Sequence, residues 1–126
     1  MTQEPGPVLT QTIIGIAIYV HRKLGPGLLE SVYNQCLSHA LEQNGLGIQR
    51  EVPLPLIFDG LRLDKGYLAD LIVEGTALLE IKSIERILPV HEAQTRTYLR
   101  LSRCRVGLLM NFNSVMLKDG IRRFVP

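Results

Sequence analysis

The stretch from residue 67 to residue 83 constrains the fold of this chain more than any other part of the sequence. Two apolar runs rich in valine, isoleucine and leucine flank a short glycine-containing segment at residues 74–76, which predicts a β-hairpin. Three charged residues stand inside these runs: Asp70 in the first, and Glu80 and Lys82 in the second. Ionised side chains are almost never fully buried unless they are paired or bind a metal ion. The three charges therefore mark either a functional site or a rim where the sheet meets solvent.

The length of the hairpin connection decides whether the two carboxylates can meet. Side chains alternate along a strand, so Glu80 and Lys82 share one face. A two-residue loop would pair Asp70 with Leu79 and leave Asp70 on the opposite face from Glu80. A three-residue loop over residues 74–76, or a bulge, would set Asp70 opposite Glu80. Directly opposed residues have Cβ atoms about 4.5–5.5 Å apart, which lets two carboxylates hold one cation, and we therefore expect the odd-length loop or the bulge.

The length and charge of the chain exclude several classes of protein. A chain of 126 residues predicts a single domain, and a net charge of only +2 excludes a polycation, so any binding of nucleic acid must come from local patches. No apolar run reaches the roughly 18 residues of a membrane-spanning helix, and no signal peptide is recognisable. Cys36 and Cys104 lie in apolar patterns without metal-ligand spacing, which favours reduced thiols in a cytoplasmic protein.

The remaining segments predict helices and strands on both sides of the hairpin. We expect a disordered tail at residues 1–9 and one domain at residues 10–126. The predicted helices cover residues 10–24, 28–44 and 90–101, and the further strands cover residues 48–58, 61–63, 105–112 and 121–125, with a turn at residues 64–66. Pro53 and Pro55 make the first of these strands either an edge strand or an irregular extended segment. This order, ααβββαβ with a short terminal strand, predicts an α/β fold in which helices flank a small mixed sheet.

Polar residues on two of the predicted helices are further candidates for the site. Glu30 lies at the border of the apolar stripe of the second helix, but it also lies in the first turn, where the helix dipole alone favours a carboxylate. His91, Gln94 and Tyr98 share one face of the third helix, although Tyr98 also fits a core position and Gln94 a surface position. The predicted buried stripe of the second helix consists of Leu29, Val32, Tyr33, Cys36, Leu37 and Ala40.

Three motifs, in this order along the chain, resemble those of a known family. Residues 27–33 read Gly-Leu-Leu-Glu-Ser-Val-Tyr, Asp70 is followed by Glu80-Ile81-Lys82, and residues 94–98 read Gln-Thr-Arg-Thr-Tyr. With these motifs the chain resembles, over nearly its whole length, the GxxExxY family, a branch of the PD-(D/E)XK nuclease-like superfamily. The last motif is similar to the QxxxY element of RecB-like nucleases. Ala69 stands where the superfamily often has a proline before the aspartate, a common replacement.

The resemblance implies a restriction-endonuclease-like core and a metal-dependent nuclease that hydrolyses phosphodiester bonds, with DNA favoured over RNA as the substrate. It implies that Mg²⁺ or Mn²⁺ is held by oxygen ligands from Asp70, Glu80, the carbonyl of Ile81 and Glu30. Such a set suits these hard cations, because they prefer carboxylate and carbonyl oxygens and keep several waters.

The resemblance also assigns catalytic tasks to residues that do not bind the metal. Lys82 would orient the attacking water or stabilise developing negative charge, and Gln94 and Tyr98 would position water, Lys82 or a phosphate. A competing hypothesis is a non-catalytic module that binds nucleic acid or protein and retains the nuclease fold. Exposed strand edges would also permit a homodimer or a larger protein assembly, whereas no association with a membrane is expected.

Overall fold

The computed structural model describes residues 6–126, which form three α-helices and five β-strands. The helices are α1 (Gly6–Leu24), α2 (Glu30–Gln43) and α3 (Pro89–Ser102), and the strands are β1 (Ile48–Phe58), β2 (Leu61–Val73), β3 (Ala77–Lys82), β4 (Val106–Asn111) and β5 (Ile121–Phe124). One 3₁₀ turn, Leu117–Gly120, precedes β5. Within this described part of the chain, no helix combines the length and apolar character that crossing a membrane requires.

The strands form one mixed sheet in the order β1-β2-β3-β4-β5. Neighbouring strands are antiparallel except for β3 and β4, which are parallel and are joined through α3. Both of these strands are buried along nearly their whole length, because helices cover both faces of the sheet at this point. The predicted α/β class, with a small mixed sheet flanked by helices and β1 at its edge, is confirmed.

A hydrophobic core lies on each face of the sheet. Ile13 of α1 and Leu37 of α2 belong to the same buried cluster as Leu79 of β3. On the other face, Leu99 of α3 shares a buried cluster with Leu78. Leu78 and Leu79 are neighbours in sequence and enter different cores because successive side chains of a strand point to opposite faces.

The starts of two helices differ from the prediction. α1 begins at Gly6, so the end of the predicted tail, residues 6–9, is helical. Pro7 is compatible with this start because a residue in the first helical turn needs no intrahelical N–H bond; residues 1–5 of that tail lie outside the described residues. The placement of Leu29 in the buried stripe is wrong, because it is the N-cap of α2 and is 72% exposed.

β2 is longer than predicted and forms an arm with β1. The predicted turn at residues 64–66 is wrong: β2 continues through it, and its pairing with β1 changes register between Leu54 and Leu56. A bulge can absorb extra residues in this way without ending the strand. Because β2 pairs with β3 only through residues 71–73, the β1–β2 hairpin extends past the rest of the sheet. The exposed apolar side chains of this arm are Ile57, Phe58, Leu61, Leu63 and Leu68.

The hydroxyl group of Tyr33 holds the loop between α1 and α2. It donates a hydrogen bond to the carbonyl of Gly25 and accepts one from the N–H of Leu28 at 3.1 Å. The ring is fully buried and stacks on Phe112, with ring centroids 4.8 Å apart. The tyrosine therefore fixes the loop that positions the first turn of α2.

Replacing Tyr33 by phenylalanine is expected to lower the free energy of unfolding by about 1–3 kcal/mol, because two partly buried backbone groups lose their partner while the ring stays and each such hydrogen bond contributes about 0.5–1.5 kcal/mol. Denaturant-induced unfolding measures this loss. Tyr19→Phe is the matched control, since the ring of Tyr19 is 58% exposed, and surface substitutions of this kind stay within about 0.5 kcal/mol. Equal stabilities of the two variants would contradict the role of the Tyr33 hydroxyl.

Candidate active site

The β2–β3 hairpin has the connection of odd length that the sequence analysis expected. Val73 pairs with Ala77, so residues 74–76 form a three-residue loop, and Leu71 pairs with Leu79. The next pair in this register is Asp70 and Glu80. The loop therefore confirms the prediction that the two carboxylates oppose each other across the hairpin.

The two carboxylates take over backbone hydrogen bonds where the β2–β3 ladder ends. The N–H of Asp70 donates to Oε2 of Glu80 at 3.0 Å. In return, the N–H of Ile81 donates to Oδ2 of Asp70 at 2.8 Å. Each side chain therefore spans the gap between the diverging strands with one oxygen. The second oxygen of each carboxylate takes no part in these two hydrogen bonds and can bind a cation or accept another hydrogen bond.

The regular geometry of β1 and β2 is interrupted at this point. The side chain of Leu71 lies in the core under α1 and α2, whereas that of Ala69 lies in the core under α3, so the usual alternation along β2 is broken at Asp70. The facing residue in β1 is Glu51, which lies between the pairs Arg50–Leu71 and Val52–Ala69. Its φ of 50° is in the left-handed region, an uncommon conformation for a residue other than glycine.

A polar cavity of about 360 Å³ opens beside Glu51 and Asp70, between α2, β1 and the end of the hairpin. The cavity is lined by Glu30, Ser31, Asn34, Gln35, Arg50, Glu51, Asp70 and Ile81. Glu30 also accepts a hydrogen bond from the N–H of Ser83 at 3.1 Å, and the hydroxyl of Ser83 donates to the carbonyl of Leu28 at 2.6 Å. These two bonds tie the start of α2 to the end of β3. Glu30 and Asp70 consequently line one cavity, although they are far apart in sequence.

Burial and mutual repulsion disfavour the charged forms of both central carboxylates. Glu80 is 4% exposed, and its burial, followed by the negative charge of Asp70, raises its pKa to about 8. Burial likewise raises the pKa of Asp70; the Ile81 N–H and the positive charge of Lys82 only partly offset this increase. A cation at this position would favour the ionised form of both groups.

The comparison with protein families agrees with this arrangement. A model of the PD-(D/E)XK nuclease superfamily matches residues 7–124. The chain belongs to this superfamily. The match extends from the first turn of α1 to the end of β5, and the mixed five-stranded sheet with its helices is the restriction-endonuclease-like architecture of PD-(D/E)XK proteins. None of the curated proteins and none of the solved structures matches the chain.

The donor atoms at this candidate site fit a hard divalent cation. Asp70 and Glu80 offer carboxylate oxygens, and Ile81 between Glu80 and Lys82 offers a backbone carbonyl. No group of three or more His, Cys, Asp or Glu side chains within residues 6–126 is placed to hold a metal ion. Two carboxylates and a carbonyl leave the remaining positions to water and substrate phosphate, which suits Mg²⁺ or Mn²⁺ better than an ion that needs a full set of protein ligands.

The three candidate residues of α3 differ in their surroundings. Burial raises the pKa of Tyr98, and the negative charge of Glu80 adds to the increase. The Tyr98 ring packs on Tyr67 with centroids 4.9 Å apart. Gln94 is exposed, and no hydrogen bond joins it to the other candidate residues in the described part of the chain. His91 instead accepts a hydrogen bond from the N–H of Leu88 at 2.9 Å and caps α3.

Five residues that line the cavity were missed in the sequence: Ser31, Asn34, Gln35, Arg50 and Glu51. Asn34 follows Glu30 by four positions, so the spacing of side chains on one helix face could have identified it. Arg50 and Glu51 belong to β1, whose alignment with Asp70 depends on an irregular pairing between the two strands. No sequence pattern in β1 indicates that alignment.

Proposed function

We propose that the protein is a metal-dependent nuclease of the GxxExxY branch, which hydrolyses phosphodiester bonds in DNA. The observation that carries this proposal is the reciprocal arrangement of Asp70 and Glu80 at the point where β2 and β3 diverge, with Lys82 two residues further along β3. The preference for DNA over RNA follows from the family resemblance.

The residues of the GxxExxY motif support this branch because each has a task at the start of α2. Gly27 adopts a φ of 98°, which only glycine adopts without strain. Glu30 binds the N–H of Ser83 next to Lys82, and Tyr33 holds the preceding loop. Together they fix α2 against the end of the catalytic hairpin.

The chain would provide the metal ligands and the groups around the reacting phosphate. Asp70, Glu80 and the Ile81 carbonyl would hold Mg²⁺ or Mn²⁺, with Glu30 on the α2 side of the cavity. When bound, such an ion stabilises negative charge on a phosphate and makes water a better nucleophile at neutral pH. Glu80 must lose its proton to serve as a ligand, and this requirement couples its raised pKa to metal binding.

Lys82 is available to act on the substrate. The one ion pair within residues 6–126 joins Arg62 to Asp64, so neither Asp70 nor Glu80 holds the Lys82 ammonium in a salt bridge. We propose that this ammonium donates a hydrogen bond to the attacking water or to a phosphate oxygen as negative charge develops there. The Tyr98 hydroxyl would orient the same water or phosphate, and Gln94 would assist from the preceding turn of α3.

A cleavage assay tests the proposal directly. Single-stranded, double-stranded and branched DNA, and a matched RNA, are incubated with the protein in Mn²⁺, in Mg²⁺ and in chelator. We expect cleavage of DNA in either metal ion and none in chelator. Asp64→Asn, which removes an exposed carboxylate of the arm, should cleave like the wild type. A folded protein that cleaves none of these substrates would favour the non-catalytic binding module instead, a role compatible with the absence of a three-carboxylate cluster in the described part of the chain.

We also propose a cytoplasmic location and a surface for association with other protein chains. Cys36 and Cys104 are free thiols, which suits the reducing cytoplasm. The exposed apolar side chains of the β1–β2 arm offer a surface for a second copy of the chain or for a larger assembly, and sedimentation velocity over a range of protein concentrations measures such association.

A further inference from the structure

Arg50 is the cationic residue of the cavity that contains Asp70. It pairs with Leu71 across the β1–β2 ladder and directly precedes Glu51, which faces Asp70. Its side chain is exposed and lines the same cavity as Asp70 and Glu30. A positive charge therefore stands next to the proposed metal ligands, on the edge strand.

The Arg50 guanidinium forms no salt bridge with a carboxylate of residues 6–126. Glu30, Glu51 and Asp70 line the same cavity, yet none lies within ion-pair distance of Arg50, because Arg62–Asp64 is the one ion pair in residues 6–126. A guanidinium presents its N–H donors in a planar fork that matches phosphate oxygens in pairs. Arg50 thus retains the capacity to bind an anion beside the site.

The wall of the cavity formed by α2 adds neutral donors. Ser31, Asn34 and Gln35 line it next to Glu30. Oδ1 of Asn34 accepts a hydrogen bond from the hydroxyl of Ser38 at 3.3 Å, so the amide nitrogen of Asn34 stays free to donate. The cavity therefore combines acidic groups, which suit a cation, with donors that suit a phosphate.

We propose that Arg50, assisted by the amides of Asn34 and Gln35, binds a backbone phosphate of the nucleic-acid strand next to the phosphate that is cleaved. The strand would pass from Lys82 over Asp70 and along the first turns of α2. This inference rests on the proposed function in that it takes nucleic acid as the substrate, and it makes Arg50 a substrate-binding residue without a part in the chemical step.

Binding of a labelled DNA oligonucleotide at several salt concentrations tests the inference, with Lys82→Ala as the common background to prevent cleavage. Adding Arg50→Ala is expected to weaken binding about 5- to 30-fold and to reduce the slope of log K against log salt by about 0.7–0.9, the loss of one phosphate contact. Arg50→Lys should keep the slope and recover part of the affinity. In the otherwise wild-type enzyme, Arg50→Ala should raise KM with little change in kcat.

Arg105→Ala is the matched control. Arg105 is also exposed, but it lies beside Thr76 at the other end of the sheet, away from Glu80 and Lys82. Equal effects of Arg50→Ala and Arg105→Ala would overturn the inference, and so would unchanged KM and salt slope in Arg50→Ala. If DNA binding depends on Arg50 but the wild type never cleaves in Mn²⁺, the nuclease function fails and the phosphate site stands. Absence of any DNA binding overturns both.

Discussion

Replacing Lys82 by alanine is expected to lower the rate of metal-dependent DNA cleavage by at least about 10²-fold while leaving the fold intact. Lys82 follows Glu80 by two residues in β3, and its positive charge lowers the pKa of both central carboxylates. It forms no ion pair with either within residues 6–126, so its removal breaks no salt bridge. The loss should therefore appear in catalysis rather than in stability. Steady-state kinetics in Mn²⁺ and a thermal melt of each protein measure the two quantities.

The loss is expected in kcat more than in KM if Lys82 acts on charge that develops only in the transition state. Lys65→Ala is the control, since it removes an exposed lysine of the arm and should leave both constants near their wild-type values. Cleavage by Lys82→Ala at more than about a tenth of the wild-type rate would remove Lys82 from the proposed mechanism. A large fall in melting temperature would instead make it a structural residue.

Much of this site could be predicted because the paired part of its hairpin, residues 71–73 and 77–79, is regular. The apolar runs indicated both strands. Side-chain alternation then left two possibilities: a two-residue loop, which separates Asp70 from Glu80, or a three-residue loop or bulge, which sets them opposite each other. The structure has the longer loop, in which Glu74 and Gly75 both adopt positive φ. Local sequence did not decide between the two lengths, because glutamate is not a residue that marks such a conformation. The expectation of a shared cation site supplied the missing criterion.

The parts that could not be predicted depend on contacts between distant segments. Residues 64–66 have the composition of a turn, yet pairing with β1 keeps them in a strand through a register change. Arg50 and Glu51 line the cavity because β1 pairs with β2 around Asp70. No local sequence pattern encodes that register. Leu29 has the spacing of a core residue, but the loop held by Tyr33 ends where Leu29 caps α2 and leaves it exposed.

In the absence of metal, the stability of the protein is expected to fall as pH rises from about 4.5 to about 8, because of Glu80. Its folded-state pKa of about 8 lies above the ordinary value of 4.5, so the folded protein keeps a proton that the unfolded chain loses over this range. The free-energy contribution of Glu80 is therefore fully present below pH 4.5, is lost through pH 8 and changes little above it. Each pKa unit corresponds to about 1.4 kcal/mol, so the change from 4.5 to about 8 sets an upper limit of about 5 kcal/mol on the total loss from this group.

Glu80→Gln isolates this contribution, because glutamine can accept the same hydrogen bond from the Asp70 N–H without carrying a charge. Denaturant unfolding of both proteins in chelator, at several pH values from 4.5 to 9, gives the difference in stability. The variant should equal the wild type near pH 4.5 and exceed it increasingly toward pH 8, since the other titrating groups act in both proteins. A difference that does not change with pH would contradict the raised pKa.

At pH 8, millimolar Mn²⁺ should make the wild type more stable than Glu80→Gln, which reverses the order expected without metal. The proposed site exists only in the folded protein, so the ion is expected to raise the wild-type melting temperature by mass action. The rise should be larger at high pH, because Glu80 would bind the ion in its ionised form. Glu80→Gln and Asp70→Asn each lose one anionic oxygen ligand and should respond far less, although Asp70→Asn should match or exceed the apo wild type by about 0.5–2 kcal/mol once repulsion at the site is relieved. A wild type indifferent to Mn²⁺, together with less stable apo variants, would mean that these carboxylates hold β2 and β3 together rather than a metal ion.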